Sequence, residues 1–532
     1  MAEAKAAIRF PDRNRFIATD FGVREPPGAE DAMDEASLAA TPEALRKLYS
    51  SYPLLPSPPP ARPRRLPAAT GWRAWHLQDT VFRTPRSELW LKLSTDEAPL
   101  DPRDATSHVL LTLLGRVLSD SLNEMAYLAE QASLHLRIST QSYGLDVCAG
   151  GFSHKLPVLL EAGLRECLAF GDAGTWKSRS KDEAFCARLH SQREQLLRVY
   201  RNAYLKPGDH AADLRRVLIM PHRQAAPERA QALEAIDEER LAAFAQALLP
   251  KLRAEVLLTG NATTAEAEQL VQGLPRHLRG DPEVVPRHPG LTVAVVPEGK
   301  ATVLVEDSPD TGSRVAAVEL YWQLGLAADE DFKQRCVLDL LEAIMSEPLF
   351  DALRTKQQLG YVASCGMRST QRVLGFSIWL LSSKVGPAEV CRRVEAFLPE
   401  FRQRLVDLPA EDFERHVSSL AAHKLEPDRT LLSVQEGAWA ELQERRSVFD
   451  RYLREAVALA SVTRDDLLSV LDRSLMPGAA GRRLLVVAVI GGRAQAKRAA
   501  ELEAFRKDYP GCWQVSSQAD FLAGTTLHED VN

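Results

Sequence analysis

Arg354 and Tyr361 are the two residues in this sequence whose types and spacing best suggest chemistry. Both fall in residues 346–362, SEPLFDALRTKQQLGYV. Pro348 suits the first turn of a helix, where its missing N–H costs nothing. Leu349, Phe350 and Leu353 then make a buried stripe, Gly360 suits a left-handed position past the helix end, and Tyr361 opens a strand. Arg354 on the short helix and Tyr361 on the adjoining strand are expected to lie close together. An arginine offers a fixed cationic fork, and a tyrosine offers a phenol that donates or accepts. Together they could hold a peptide carbonyl or the oxyanion that forms from it. The same residues also admit a purely structural role, with Arg354 complementing the helix dipole and Tyr361 anchoring a strand.

Other chemistries lack their residues. Zinc hydrolysis needs two imidazoles on one helix face and a carboxylate for the water's proton, in the order H-E-x-x-H or H-x-x-E-H. None of the twelve histidines falls in either pattern, so no metal site is expected in this chain. His416 and His423, seven apart, could share a helix face but have no third ligand. The G-x-S-x-G elbow of serine hydrolases is absent. Residues 171–178, GDAGTWKS, fail as a phosphate loop because Trp176 stands where glycine must precede the lysine. The seven cysteines form no C-x-x-C pair and are odd in number, which fits a reducing compartment better than a disulfide framework.

The elements that must position Arg354 and Tyr361 recur in order along the chain. Residues 1–24 are an entry segment, and 25–67 read as a proline-rich insertion in which Arg62, Arg64 and Arg65 are expected on a solvated loop. A first domain, 68–271, carries an alternating strand at Leu89, Leu91 and Leu93 and a helix over 109–118. A second helical piece over 121–133 follows, then strands at 134–138 and 143–148, long helices near 156–169 and 182–204, and a strand at 255–258. Residues 272–290 read as a linker. The second domain, 291–510, opens with strands at 292–296, 302–305 and 316–323. A helix faced by Phe332, Cys336, Val337, Leu340, Leu341, Ile344 and Met345 follows. The short helix to Gln358 comes next, then strands at 361–365 and 373–381, further helices and a last strand at 483–490; residues 511–532 form a tail. Residues 121–134 and 346–359 occupy equivalent places: each is a 14-residue helical piece after an amphipathic helix and before two strands. The fold class is therefore α+β, two homologous domains, each a mostly antiparallel sheet covered by helices.

At 532 residues with 45% hydrophobic and 26% charged residues, the composition is that of a water-soluble globular protein. A net charge of −6 with no clustered basic face argues against nucleic acid. No apolar run approaches the roughly 18 residues of a membrane span, and the N-terminus lacks the apolar core of a secretory signal. The expectation is a cytoplasmic protein.

The 346–362 segment closely resembles the insulinase-family pattern SEP-x-F-x-x-LRTK-x-QLGY. PDRNRFIATDF at 11–21, DSLNEMAYLAEQASL at 120–134, LTGN at 258–261, YWQ at 321–323 and, loosely, FLAGTTLHED near the end also resemble that family in order. The resemblance runs from about residue 8 to the C-terminus, outside the insertion. It implies the third and fourth domains of an insulysin-type metallopeptidase, which form one bowl-shaped half of a chamber that degrades peptides. In the family the other half carries H-x-x-E-H, the zinc and the general base. An Arg and a Tyr of this motif reach across to substrate, and those roles carry over to Arg354 and Tyr361. The chain opens just before the third-domain pattern, so no zinc half is expected ahead of it. Zinc would then belong to a complementary N-terminal half, and the chain alone is expected to be inactive as a peptidase. The alternative is a non-catalytic peptide-binding or scaffold subunit on the same fold. A basic stretch of the family pattern appears here as HKLEPDR at 423–429, which departs from it.

Overall fold

Leu89, Leu91 and Leu93 lie on the third strand of a six-stranded sheet, their side chains in a core shared with the helix Ala105–Ser121. The computed structural model describes residues 13–25, 62–67, 71–280, 291–327 and 332–528. The first sheet is built from β1 (Arg64–Arg65), β2 (Arg73–Gln78), β3 (Arg86–Ser94), β4 (Leu134–Gln141), β5 (Gly144–Phe152) and β6 (Arg253–Gly260), in the order β1-β2-β6-β3-β5-β4. The second is built from β7 (Thr302–Asp307), β8 (Ala316–Leu326), β9 (Val362–Thr370), β10 (Val373–Ser382), β11 (Leu484–Ile490) and β12 (Trp513–Val515), in the order β12-β7-β11-β8-β10-β9.

The two sheets repeat one plan. In each, the strand closing the domain pairs parallel with the first long strand (β6 with β2, β11 with β7) and antiparallel with the next (β3, β8). The hairpins β4–β5 and β9–β10 then complete the sheet antiparallel. The sheets differ at one edge, where β1 runs antiparallel to β2 but β12 runs parallel to β7. Both are mixed sheets covered by helices, and each strand feeding a helical layer is apolar on the covered face, as burial requires. No helix among the described residues is long and apolar enough to cross a membrane.

Each half also lends a helix to the other. Helix Leu431–Gln443 lies on the outer face of the first sheet, packing Ala438, Trp439 and Leu442 against Trp75, Trp90 and Leu257. The Trp90 and Trp439 rings meet edge to face at 5.6 Å. Helix Pro207–Ile219 lies on the second sheet, packing Ala211, Leu214 and Leu218 against Tyr321, Leu485 and Val487. The helix Leu431–Gln443 on the first sheet's outer face explains why β3 is buried on both faces. Lys92, placed by alternation on the face away from the leucines, is only 1% exposed. It donates to the Leu442 carbonyl at 3.2 Å and sits over the Tyr143 ring. Burial lowers its pKa, as it does for any ammonium taken from water.

Several local expectations change. Residues 292–296 are extended but form no strand beyond a single bridge from Ala294 to Leu527. Their polar groups are met by the Ile219 and Thr526 carbonyls, the His528 N–H and the Gln323 amide, which accepts from Val296 N at 2.8 Å and donates to the Ala294 carbonyl at 2.9 Å. The arginines at 62–65 are not a solvated loop. Arg62 pairs with the buried Asp450 at 2.9 Å, and Arg64 and Arg65 form β1. The rest of the insertion, residues 26–61, and residues 281–290 of the linker lie outside the described residues. Gly260-Asn261, read as a strand end, also ties the entry segment down: the Asn261 side chain accepts from Arg24 N at 2.7 Å and donates to the Gly22 carbonyl at 2.9 Å.

Candidate functional site

The segment bearing Arg354 begins on the helix Phe332–Leu349, whose Leu340, Leu341, Met345 and Leu349 are fully buried in the second core. Pro348 does not start a new helix, as the sequence suggested, but sits inside this one. Beyond it the chain continues as a π-helical stretch, Phe350–Lys356. A proline without an N–H removes one rung of the i→i−4 ladder, and widened turns are a usual accommodation within helices at functional sites. The stretch closes with Gln357 N donating to Ala352 O at 3.2 Å and Leu359 N donating to Leu353 O at 3.0 Å.

The turn after it is fixed on two sides. The left-handed residue is Gln358, at φ 52°, and not Gly360. Gly360 is required for a different reason: a Cβ there would lie 1.6 Å from the Leu381 carbonyl oxygen of β10. Ser382 Oγ donates to the Leu359 carbonyl at 2.7 Å, and Leu359 itself is buried. The backbone entering β9 is thus pinned to β10 where Tyr361 emerges. Tyr361 is 86% exposed, and nothing in the described residues holds its phenol.

Arg354 stands in the last turn of the π-helical stretch, half-buried, its guanidinium 4.5 Å from the Phe350 ring centroid. Lys356 is neutralised by Asp351 at 2.7 Å, whereas Arg354 has no carboxylate partner among the described residues. The aromatic platform orients a planar cation without neutralising it. One turn, anchored by the buried Leu359, separates the two side chains in sequence: a cationic fork on the helix end and a free phenol at the strand entry. Arg354 and Tyr361 could each donate to an oxygen of a bound peptide.

The remaining candidates resolve structurally. Asp172 caps the helix Ala173–Arg179 by accepting from Thr175 N at 3.0 Å, and Trp176 is buried, so residues 171–178 are a capped helix start. His416 and His423 lie on the helix Ala410–Lys424, with His423 exposed. No group of three or more His, Cys, Asp or Glu that could hold a metal occurs among the described residues, so the donors here do not fit a zinc site. In the 423–429 stretch Lys424 is bound to Asp339 at 2.6 Å and Glu455 at 2.7 Å, and Arg429 pairs with Glu426, which leaves little free cation there. The seven cysteines are unpaired with one another, and burial pushes the thiols of Cys148, Cys336 and Cys365 up to about 12, far from a nucleophile's range. An apolar cavity of about 130 Å³ opens between residues 79–82 of the first half and Leu425, Leu431 and Phe449 of the second, away from Arg354 and Tyr361.

Comparison with known proteins places this geometry. Residues 1–232 match the middle or third domain of peptidase M16, and residues 340–439 match the C-terminal lobe domain 4 of PQQ synthase PqqF-like proteins. The fold agrees: the pitrilysin crystal structure superposes with a TM-score of 0.76 at 17% identity, over 99% of this chain and 50% of that one. The chain belongs to the M16 peptidase family, in its middle and C-terminal domains. Within that family it is similar to the nardilysin-like protein of Arabidopsis thaliana, 28% identical over 468 residues (88% of this chain and 42% of that protein). It is equally similar to the insulin-degrading enzyme of Drosophila melanogaster, 28% identical over 437 residues (81% and 42%). The chain therefore spans less than half the length of these relatives. A solved structure described as an inactive M16 peptidase domain from Pseudomonas fluorescens also shares the fold, with a TM-score of 0.55 and 14% identity over 81% of this chain and 98% of that one.

Proposed function

We propose that this chain is the half of an M16 zinc metalloendopeptidase that lacks the zinc motif, closing a chamber around peptides and presenting Arg354 and Tyr361 to the scissile carbonyl. One observation carries the reading. The backbone at 357–361 is locked to β10 through Gly360 and Ser382, while the Arg354 cation lacks a carboxylate and the Tyr361 phenol is exposed. A structural arginine would be paired and a structural tyrosine covered. A rigid base with unsatisfied donors suits an oxyanion, where one preorganised donor contributes about 10²–10³ in rate. A separately held zinc would supply the activated water. Arg354 would hold the carbonyl and its developing charge, and Tyr361 would donate a second hydrogen bond. Cytoplasmic action belongs to this proposal, supported by the odd set of unpaired cysteines.

The test is reconstitution. The purified chain is mixed with a zinc-bearing M16 half, and cleavage of a quenched peptide is followed with and without chelator. Chelator-sensitive cleavage should require both halves, and Arg354→Ala and Tyr361→Phe should each lower kcat more than they raise KM. Robust chelator-sensitive cleavage by the chain alone would sink the proposal. The inactive domain from Pseudomonas fluorescens, nearly all of which this fold covers, favours a second reading: a non-catalytic peptide-binding or scaffold subunit. Under that reading affinity capture returns unrelated subunits, or peptide binds with no partner, and neither substitution alters any cleavage.

A further inference from the structure

Away from Arg354 and Tyr361, a cavity of about 240 Å³ sits at the junction of the two halves, and its walls hold more cation than anion. His108 and Thr112 come from adjacent turns of the helix Ala105–Ser121, Thr140 from the end of β4, His222 and Arg223 from the connector after Pro207–Ile219, and Arg229 from the helix Ala226–Glu234. Asp213 serves three guanidiniums: Arg223 at 2.5 Å, Arg229 at 3.7 Å and Arg216 at 3.8 Å. Arg103 adds a further positive charge near His222.

Donors in this cavity lack acceptors. His222 is 6% exposed, and its Nδ1 has no partner. Its Nε2 lies 3.2 Å from the Gln371 amide nitrogen, which comes from the β9–β10 hairpin of the other half. Arg229 Nε, over the Tyr200 ring, is also buried without a partner. The His108 ring makes no hydrogen bond among the described residues. Burial, then the neighbouring arginines, hold both imidazoles down at about 4, so near neutral pH they are uncharged groups that can donate. The attracting charge is that of Arg223 and Arg229. One carboxylate, Asp213, serves three guanidiniums and leaves Arg229 Nε and the imidazole donors unmet, which is costly, and a tetrahedral anion with several acceptor oxygens answers these donors at once.

We infer that this cavity binds a small tetrahedral oxyanion of the phosphate class, held by Arg223 and Arg229 with His108, His222 and the Thr140 hydroxyl. The site is independent of the peptidase reading. Because Gln371 of the second half contacts His222 in the cavity wall, a bound anion would brace the junction, and ligand bound only by the folded state raises its stability.

The experiment follows the thermal midpoint of the whole chain in millimolar inorganic phosphate against chloride at matched ionic strength, with O-phosphoserine as a second arm. A saturable rise with phosphate is expected, and a response to phosphoserine as well would extend the ligand to monoesters. His108→Gln removes no existing hydrogen bond, so it should fold normally and weaken apparent affinity about fivefold or more. Arg229→Gln should weaken it further. Histidine NMR should show the two imidazole pKa values rising by about one unit when phosphate binds, since a nearby anion favours the charged form. The facing groups that set this balance are Arg103, Arg223, Arg229 and Asp213. No saturable rise over chloride, or a rise unchanged in His108→Gln, would overturn the inference.

Discussion

Replacing Glu319 with alanine should do unusual damage. Glu319 on β8 meets Arg215, which arrives on the helix that the first half lends to the second, at 2.9 Å. The two side chains are 3% and 8% exposed, and Arg368 adds a weaker contact at 3.7 Å. The Arg215 N–H is not aimed at the carboxylate, so the pair attracts mainly by charge and leaves Arg215 Nε without a directed bond. Removing one member of such a pair strands a buried cation and costs about 3–5 kcal/mol. Glu319→Ala should therefore lower the unfolding free energy of the transition that exposes this seam by about 4 kcal/mol, with faster proteolysis between the halves. Replacing both, as Arg215→Met with Glu319→Leu, should cost far less or even stabilise, because the desolvation penalty of both ions disappears. Urea titrations followed by tryptophan fluorescence, with the full double-mutant cycle, measure both. A Glu319→Ala loss under about 1 kcal/mol, or a double variant as damaged as the single, would show that this pair does not behave as a buried, desolvated ion pair.

Other outcomes follow from the same geometry. Gly360→Ala should destabilise the fold by about 1–3 kcal/mol, since its Cβ would meet the Leu381 carbonyl; a thermal midpoint equal to the parent's would contradict this. His108, His210 and His222 are each held at about 4 against an ordinary 6.5. The unfolded chain takes up those protons first, so stability should decline as pH falls from 6.5 toward 4, by about 1.4 kcal/mol per pH unit for each imidazole. His210→Phe should flatten that slope, and an unchanged slope would count against it. Burial would raise the Glu455 carboxyl, but Lys424, Arg451 and Arg335 outweigh it and hold the pKa below its ordinary 4.5. Its contribution is complete above that value and lost as pH falls through the lower folded one. Glu455→Gln should accordingly be destabilised at neutral pH and converge with the parent in acid; a gap that persists in acid would argue otherwise.

Much of the fold was legible because strand alternation and helical stripes are local. The duplicated order and the hairpins after each short helix followed from such patterns. What was hidden depended on distant partners. Residues 292–296 have a strand's composition, yet their backbone is met by scattered partners, the Ile219 and Thr526 carbonyls, the His528 N–H and the Gln323 side chain, in place of a neighbouring strand. Lys92 alternated as a solvent-facing residue until the second half's helix covered it. Pro348 and Gly360 were each recognised as special positions but for the wrong local reason. One is carried inside a helix that widens after it, and the other yields to the approach of β10. Of the candidate site, the residue types and their elements were readable. The His222 and Arg229 cavity was not, because its parts are scattered from residue 108 to residue 229 with no motif between them.

Under the proposed function, Arg354 and Tyr361 assist chemistry whose metal lies elsewhere. The decisive measurement is kcat for peptide cleavage by the chain reconstituted with a zinc-bearing M16 half, comparing the parent with Arg354→Ala and Tyr361→Phe at equal thermal stability. The expected result is no chelator-sensitive cleavage by the chain alone, activity on mixing, and losses of about 10²–10³ in kcat for each substitution. Activity in the isolated chain, or reconstituted activity indifferent to both substitutions, would contradict it.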